Sequence, residues 1–164
     1  MKTCSYIFIV FIATCSCQQY KRVQTQVAPA EISEEVAVLK QPWSFFGEDG
    51  EKIQTQSWTI YTTLKYEHIV SQLPQFYDSL IELYATEFGN LPFPNERLDV
   101  YLFATEKQWQ LQVQKMLGRN AAQWYELGRG GLTIDGVAVL YDLDNRGRSR
   151  TTLRIAAHEG WHQY

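Results

Sequence analysis

His158-Glu159-Gly160-Trp161-His162 places two imidazoles and a carboxylate within about one turn of a helix. Histidines at i and i+4 lie one above the other on the same face, so both rings can reach one zinc ion. Neutral imidazole suits that metal. Glu159, beside the first histidine, is placed to take a proton from a water that zinc has acidified toward a pKa of about 7. It can then pass the proton to a leaving amine. The residue types point to a zinc-dependent hydrolase, foremost a peptidase, with His158 and His162 as metal ligands and Glu159 as the general base. Zn2+ is the expected cofactor. A catalytic zinc takes three protein ligands and keeps one position open. The third is not evident in this chain, which stops in mid-helix after Tyr164 without a glycine stop signal. The sequence reads as the N-terminal part of a longer protein, and this part alone is expected to bind zinc weakly and to be inactive.

The bland alternative for such a pentapeptide is a wet helix end with two solvated histidines. The preceding residues argue against it. Ser149 or Thr151 can cap a helix that continues through Leu153, Ile155, Ala156, Ala157, Gly160 and Trp161. Its small apolar turn before His158 predicts a helix packed against a core.

The other end of the chain carries a different signal. Met1-Lys2-Thr3 leads into the apolar run Tyr6–Ala13, too short for a permanent membrane span, and reads as an export signal. Cys15 and Cys17 follow at once. Their placement after Ile12-Ala13-Thr14 and Thr14-Cys15-Ser16 resembles the lipobox of bacterial lipoproteins, which implies lipidation of Cys15 or Cys17 and membrane attachment in the cell envelope. An ordinary cleaved signal peptide is the alternative. Cys4, Cys15 and Cys17 are the three cysteines of the chain. The rest of the protein therefore has neither disulfides nor thiolate ligands, which leaves histidine and carboxylate for a metal. The expected organisation is a leader at 1–17, a polar tether at 18–40, and one domain at 41–164, with Val36–Leu39 as a candidate first strand.

A composition 45% hydrophobic and 14% aromatic supports a folded core, and a net charge of −3 lacks the basic footprint of a nucleic-acid binder. Trp43–Phe46 reads as a strand and Gly47–Gly50 as its turn. Ser57–Thr63 and Arg97–Phe103 are strands rich in β-branched and aromatic residues. Between them Ile69, Leu73, Phe76, Leu80, Leu83 and Tyr84/Phe88 keep a helical spacing that ends at Gly89, with Pro74 either kinking the helix or starting it. Thr105 and Gln108 form a capping box for a short helix whose face carries Trp109, Val113, Met116 and Leu117. Gly128-Arg129-Gly130-Gly131 is too irregular for a phosphate loop and reads as a flexible connection. Leu132–Ile134 and Val137–Tyr141 flank Asp135-Gly136, a strong hairpin signal. Asp142–Gly147 begins like a calcium loop, but Leu153 stands where that loop needs a bidentate glutamate. Arg146, Arg148 and Arg150 read as a solvated loop face, and His68 as a surface residue.

The order strand, long helix, strand, short helix, hairpin, HExxH helix looks like the N-terminal half of a gluzincin metallopeptidase of the peptidase-MA-like superfamily. Ala157–Tyr164 resembles the motif of exported bacterial members. The resemblance implies an α+β fold: a zincin-like N-terminal subdomain, a twisted mixed sheet with packed helices, and the HExxH helix at the C-terminal end. It also implies a third zinc ligand on a later helix, a glutamate in that family, with an aspartate or histidine open as well. It further implies that Val137, Ala138 and Val139 form the sheet edge beside the cleft, where an extended peptide or protein substrate pairs with the backbone. A reading from another class is a non-catalytic peptide-binding module on the same scaffold.

Overall fold

Alternation along the central strands sends successive side chains to two faces that are both covered, and this sets the architecture. The structure, a computed structural model, describes residues 38–87, 89–127, 130–144 and 150–164. The leader with Cys4, Cys15 and Cys17, and most of the tether, lie outside the described residues. The elements are β1 (Leu39–Phe45), β2 (Glu48–Gln54), β3 (Trp58–Thr62), α1 (Glu67–Val70), α2 (Leu73–Glu87), β4 (Leu98–Phe103), α3 (Glu106–Leu117), α4 (Ala122–Leu127), β5 (Gly131–Ile134), β6 (Val137–Tyr141) and α5 (Arg150–Gln163).

The fold is α+β, an open six-stranded mixed sheet in the order β1-β2-β3-β4-β6-β5. β1, β2 and β3 form an antiparallel meander. β3, β4 and β6 run parallel, and β5 closes antiparallel on β6. On one face Ile53, Trp58, Ile60, Val100, Leu102, Ala138 and Leu140 meet Leu73, Tyr77, Leu80, Ile81 and Tyr84 of α2 and Ala156 of α5. On the other, Phe45, Phe103, Ile134 and Val139 meet Trp109 and Val113 of α3 and Ala121. Cover on both faces explains why β4 and β6 read as nearly continuous apolar runs. Trp109 buries its indole completely and donates its Nε1–H to the Val139 carbonyl at 3.0 Å.

Several local expectations meet their structural form. Thr105 and Gln108 make both bonds of the capping box, and Asp135-Gly136 turns the β5–β6 hairpin with φ of 48° and 76°, the positive values that a two-residue I′ turn requires. Pro74 is the second residue of α2, so it starts the helix rather than kinking it. Other expectations need correction. The first turn is only Phe46-Gly47, with φ of 49° and 86°, and Glu48-Asp49-Gly50 already belong to β2. That strand escaped notice because Ile53 is its one fully buried residue, so no apolar alternation marks it. Gly50 pairs with Trp43, and a Cβ there would fall 2.2 Å from the Thr62 carbonyl oxygen and 3.1 Å from the Trp43 ring. The stretch before Gly128-Arg129-Gly130-Gly131, given no element in the sequence reading, holds a short 3-10 turn at 118–120 and α4.

The largest correction concerns the sheet edge. Val137, Ala138 and Val139 do not form it. β6 lies between β4 and β5, and β5 is the edge. The physical reason is the direction of the hairpin: the chain reaches the rim first along Gly131–Ile134 and returns on the inner side, where β6 can pair parallel with β4. No helix among the described residues is long and apolar enough to cross a membrane.

Candidate functional site

Helix α5 is fastened at its start, middle and end. At its start the backbone N–H of Thr151 donates to the Asp144 carboxylate at 3.0 Å, where a negative charge also complements the helix dipole. One residue on, the Thr152 hydroxyl donates to Asp142 Oδ1 at 2.9 Å and accepts the Leu143 N–H at 3.0 Å. Asp142 is buried and accepts the Asp144 N–H as well, at 3.1 Å. The two aspartates of the calcium-like stretch are thus helix anchors. Thr151 lies inside the helix rather than capping it, and Ser149 lies outside the described residues.

In the middle of α5, the Tyr84 hydroxyl donates to the Ala157 carbonyl, and its ring packs edge-on against Trp161 and Tyr164 at 5.5 and 5.6 Å. Burial raises the Tyr84 pKa above the ordinary phenol value, so the hydroxyl keeps the proton that it donates. Gly160 sits directly over this contact. A Cβ there would come within 2.9 Å of Tyr84 Oη and 3.2 Å of Trp58 Cη2, so glycine at the third position of the motif serves packing. At the end of α5, Gln163 Nε2 donates to the carbonyls of Asp99 and Gly136 at 2.7 and 2.8 Å, and the Tyr164 hydroxyl donates to the Pro92 carbonyl at 2.8 Å.

These anchors fix which way the motif faces. His158 and His162 are exposed. Their Nε2 atoms stand 3.2 Å apart, with ring planes at 89°. Two nitrogens bound to one tetrahedral zinc at 2.0–2.1 Å are separated by about 3.3 Å, so the pair fits a shared zinc ion. Glu159, one residue after His158, is buried at 8% exposure. Its Oε2 accepts the Thr133 hydroxyl of β5 at 2.7 Å. The same hydroxyl lies 3.1 Å from the Glu159 backbone carbonyl. Gly131 makes this closeness possible, since a Cβ there would fall 2.6 Å from Ile155 Cγ2 and 3.0 Å from Glu159 Cγ.

The structure therefore sets the Glu159 carboxylate against Thr133 of the edge strand β5, and His158 and His162 beside each other on the exposed face of α5. His68 stands exposed on α1, its ring against that of Tyr66 at 6.1 Å. Among the described residues no group of three or more histidines, cysteines or carboxylates forms a metal site; the donors that do converge are the two imidazoles. Tyr84, Thr133, Gly131, Asp142 and Asp144 are site-building residues that sequence reasoning missed. The double glycine at the start of β5 and the aspartate pair ahead of α5 were the available signals. No family model, no curated protein and no solved structure matches this chain.

Proposed function

We propose that this chain carries the zinc-binding helix and the general base of an exported zinc metallopeptidase of gluzincin type that hydrolyses peptide or protein substrates. The observation that supports it most is the division of labour on α5: two ring nitrogens 3.2 Å apart on the open face, and a carboxylate buried beside them against a sheet edge. His158 and His162 would hold the metal through Nε2. Bound zinc supplies Lewis acidity and an acidified water. Glu159 would act as the general base and then the general acid, taking up one proton and giving it to the leaving amine. The anchors at Asp142, Asp144, Tyr84 and Gln163 keep the motif from rotating. Backbone pairing along β5 (Gly131–Ile134) would align an extended peptide beside Glu159. A catalytic zinc takes one more protein donor than this pair supplies. Export through residues 1–17 and lipid attachment at Cys15 or Cys17 belong to the same proposal; labelling with a palmitate analogue checks it, and absence of incorporation removes the lipid.

The test uses the complete gene product, its metal content and its hydrolysis of a peptide library. Glu159→Gln should retain zinc and lose hydrolysis, because the carboxylate is the base and not a ligand. His158→Ala and His162→Ala should lose the zinc. Full hydrolysis by Glu159→Gln, or undiminished zinc in both histidine variants, would overturn the proposal. A wild-type protein that binds peptides without turnover would instead be a binding module.

A further inference from the structure

We infer that Thr133 is the positioning residue for Glu159, aiming its carboxylate from the neighbouring edge strand; this rests on the general-base reading proposed above. A glutamate on a helix has several rotamers, and only a carboxylate held in one place can meet a proton on cue. The Thr133 hydroxyl has one proton and two acceptors within reach, Oε2 of Glu159 at 2.7 Å and its backbone carbonyl at 3.1 Å. The shorter contact goes to the charged group, as expected for the stronger, charge-assisted bond. A tether of helix to strand alone would need only the carbonyl. The contact to the carboxylate does something else: it selects the side-chain conformation.

The surroundings point the same way. Alternation along β5 sends Ile134 and Leu132 to the α3 face and turns Gly131 and Thr133 toward α5. The first has no side chain, and so lets the strand approach within contact of Glu159 Cγ. The second has the shortest side chain that combines a donor with a strand-favouring β-branch. Glycine to make room and threonine to hold the carboxylate are complementary devices on one strand face. Thr133 reaches the proposed chemistry through its bond to the Glu159 carboxylate, so its effect runs through Glu159. A consequence is that the strand proposed to pair with substrate also orients the base, so a peptide that shifted β5 would shift Glu159 with it.

The experiment compares Thr133→Val, which keeps the shape and removes the donor, with Thr133→Ser, which keeps the donor. Two readouts are taken. In zinc-free protein labelled with 13C at the glutamate carboxyls, the Glu159 resonance is identified by its absence in Glu159→Gln. It should move in Thr133→Val and stay in place in Thr133→Ser. In the zinc-loaded complete gene product, kcat of Thr133→Val should fall about 10- to 100-fold, the range for a displaced supporting residue. KM and zinc content should stay within about twofold, and Thr133→Ser should recover most of kcat. A lowered melting temperature with unchanged kcat and an unmoved resonance would reduce Thr133 to a structural tether and overturn the inference. If Glu159→Gln itself hydrolyses peptides normally, the general-base reading falls first, and the carboxyl resonance still reports whether Thr133 holds the side chain.

Discussion

Substituting Gly160 by alanine sets two effects of opposite sign against each other. Alanine in a helix interior is favoured over glycine by about 0.8–1 kcal/mol. Against this, the new Cβ would stand 2.9 Å from Tyr84 Oη and 3.2 Å from Trp58 Cη2. Tyr84 is 5% exposed and Trp58 completely buried, and the tyrosine hydroxyl is tied to Ala157 one turn earlier on the same helix. Neither neighbour can swing into solvent, so α5 must lift, and overpacking of this kind costs about 1–3 kcal/mol. The net expectation for Gly160→Ala is a loss of about 0–2 kcal/mol. The decisive arm is the double variant. Tyr84→Phe alone should lose about 1 kcal/mol with its hydrogen bond, but it removes the closest clashing atom. In that background the nearest remaining contact is Trp58 Cη2, and alanine should be neutral or stabilising by up to about 1 kcal/mol. The predicted coupling between the two sites is therefore about 1–2 kcal/mol, within the range for residues in contact. Urea unfolding of the four proteins, followed by circular dichroism, measures it. If Gly160→Ala has the same effect in both backgrounds, to within the roughly 0.3–0.5 kcal/mol of ordinary additivity, the glycine is not there to accommodate Tyr84.

Further expectations follow from other parts of the molecule. The Tyr77 hydroxyl is fully buried and has no hydrogen-bond partner among the described residues, and burial, with Tyr84 nearby, raises its pKa above the ordinary value. The unfolded tyrosine ionises near pH 10 while the folded one stays neutral, so this contribution to stability is intact below about pH 10. Above it, stability declines by about 1.4 kcal/mol per pH unit. Tyr77→Phe should remove that slope and raise stability at pH 7 by about 1 kcal/mol; an unchanged alkaline unfolding profile would contradict it. Zinc at 100 times its dissociation constant should stabilise the fold by at most about 2.7 kcal/mol, less whatever a helical turn in the unfolded chain also binds, an effect reversed by chelator and lost in His162→Ala. Binding should be weak with two donors, and tight stoichiometric uptake by residues 18–164 would argue against that donor count. Thr105→Ala removes the hydroxyl that accepts the Gln108 N–H, while the bond from the residue-105 N–H to Gln108 Oε1 remains, and should cost about 0.5–2 kcal/mol; a smaller loss in thermal unfolding would mean that the helix end is held by packing.

What could be read from the chain was what short-range chemistry dictates. Thr105 and Gln108 are three residues apart, Asp135 and Gly136 adjacent, and His158 and His162 four apart; each pair carries its own geometry. β2 stayed hidden because a polar strand next to the sheet rim buries little, and Ile53 alone makes no pattern. The misplacement of Val137–Val139 at the edge had another cause. A hairpin signal says that two strands pair, but not which of them faces the next strand; that depends on β6 matching β4, more than thirty residues away in the chain. Thr133 escaped for the same reason, being one of many threonines until the fold sets it beside Glu159. Asp142 and Asp144 were noticed as a calcium-like pair and dismissed on the mismatch at Leu153; their work as helix anchors becomes visible only with Thr151 and Thr152 in place.

The span of these contacts along the chain bears on the order in which the site comes into being. His158 and His162 approach each other within four residues, as soon as a helical turn exists, an event of about 0.1–1 μs. The bond from Thr133 to Glu159 bridges 26 residues, and that from Gln163 to Asp99 bridges 64. Both wait for the β5–β6 hairpin to insert beside β4, a slow kind of pairing because long loops must close first. The imidazole pair thus matures early and the aimed carboxylate late. A nascent or partly unfolded chain can present the first without the second, so under the proposed function zinc uptake would report a formed helical turn and not a finished site.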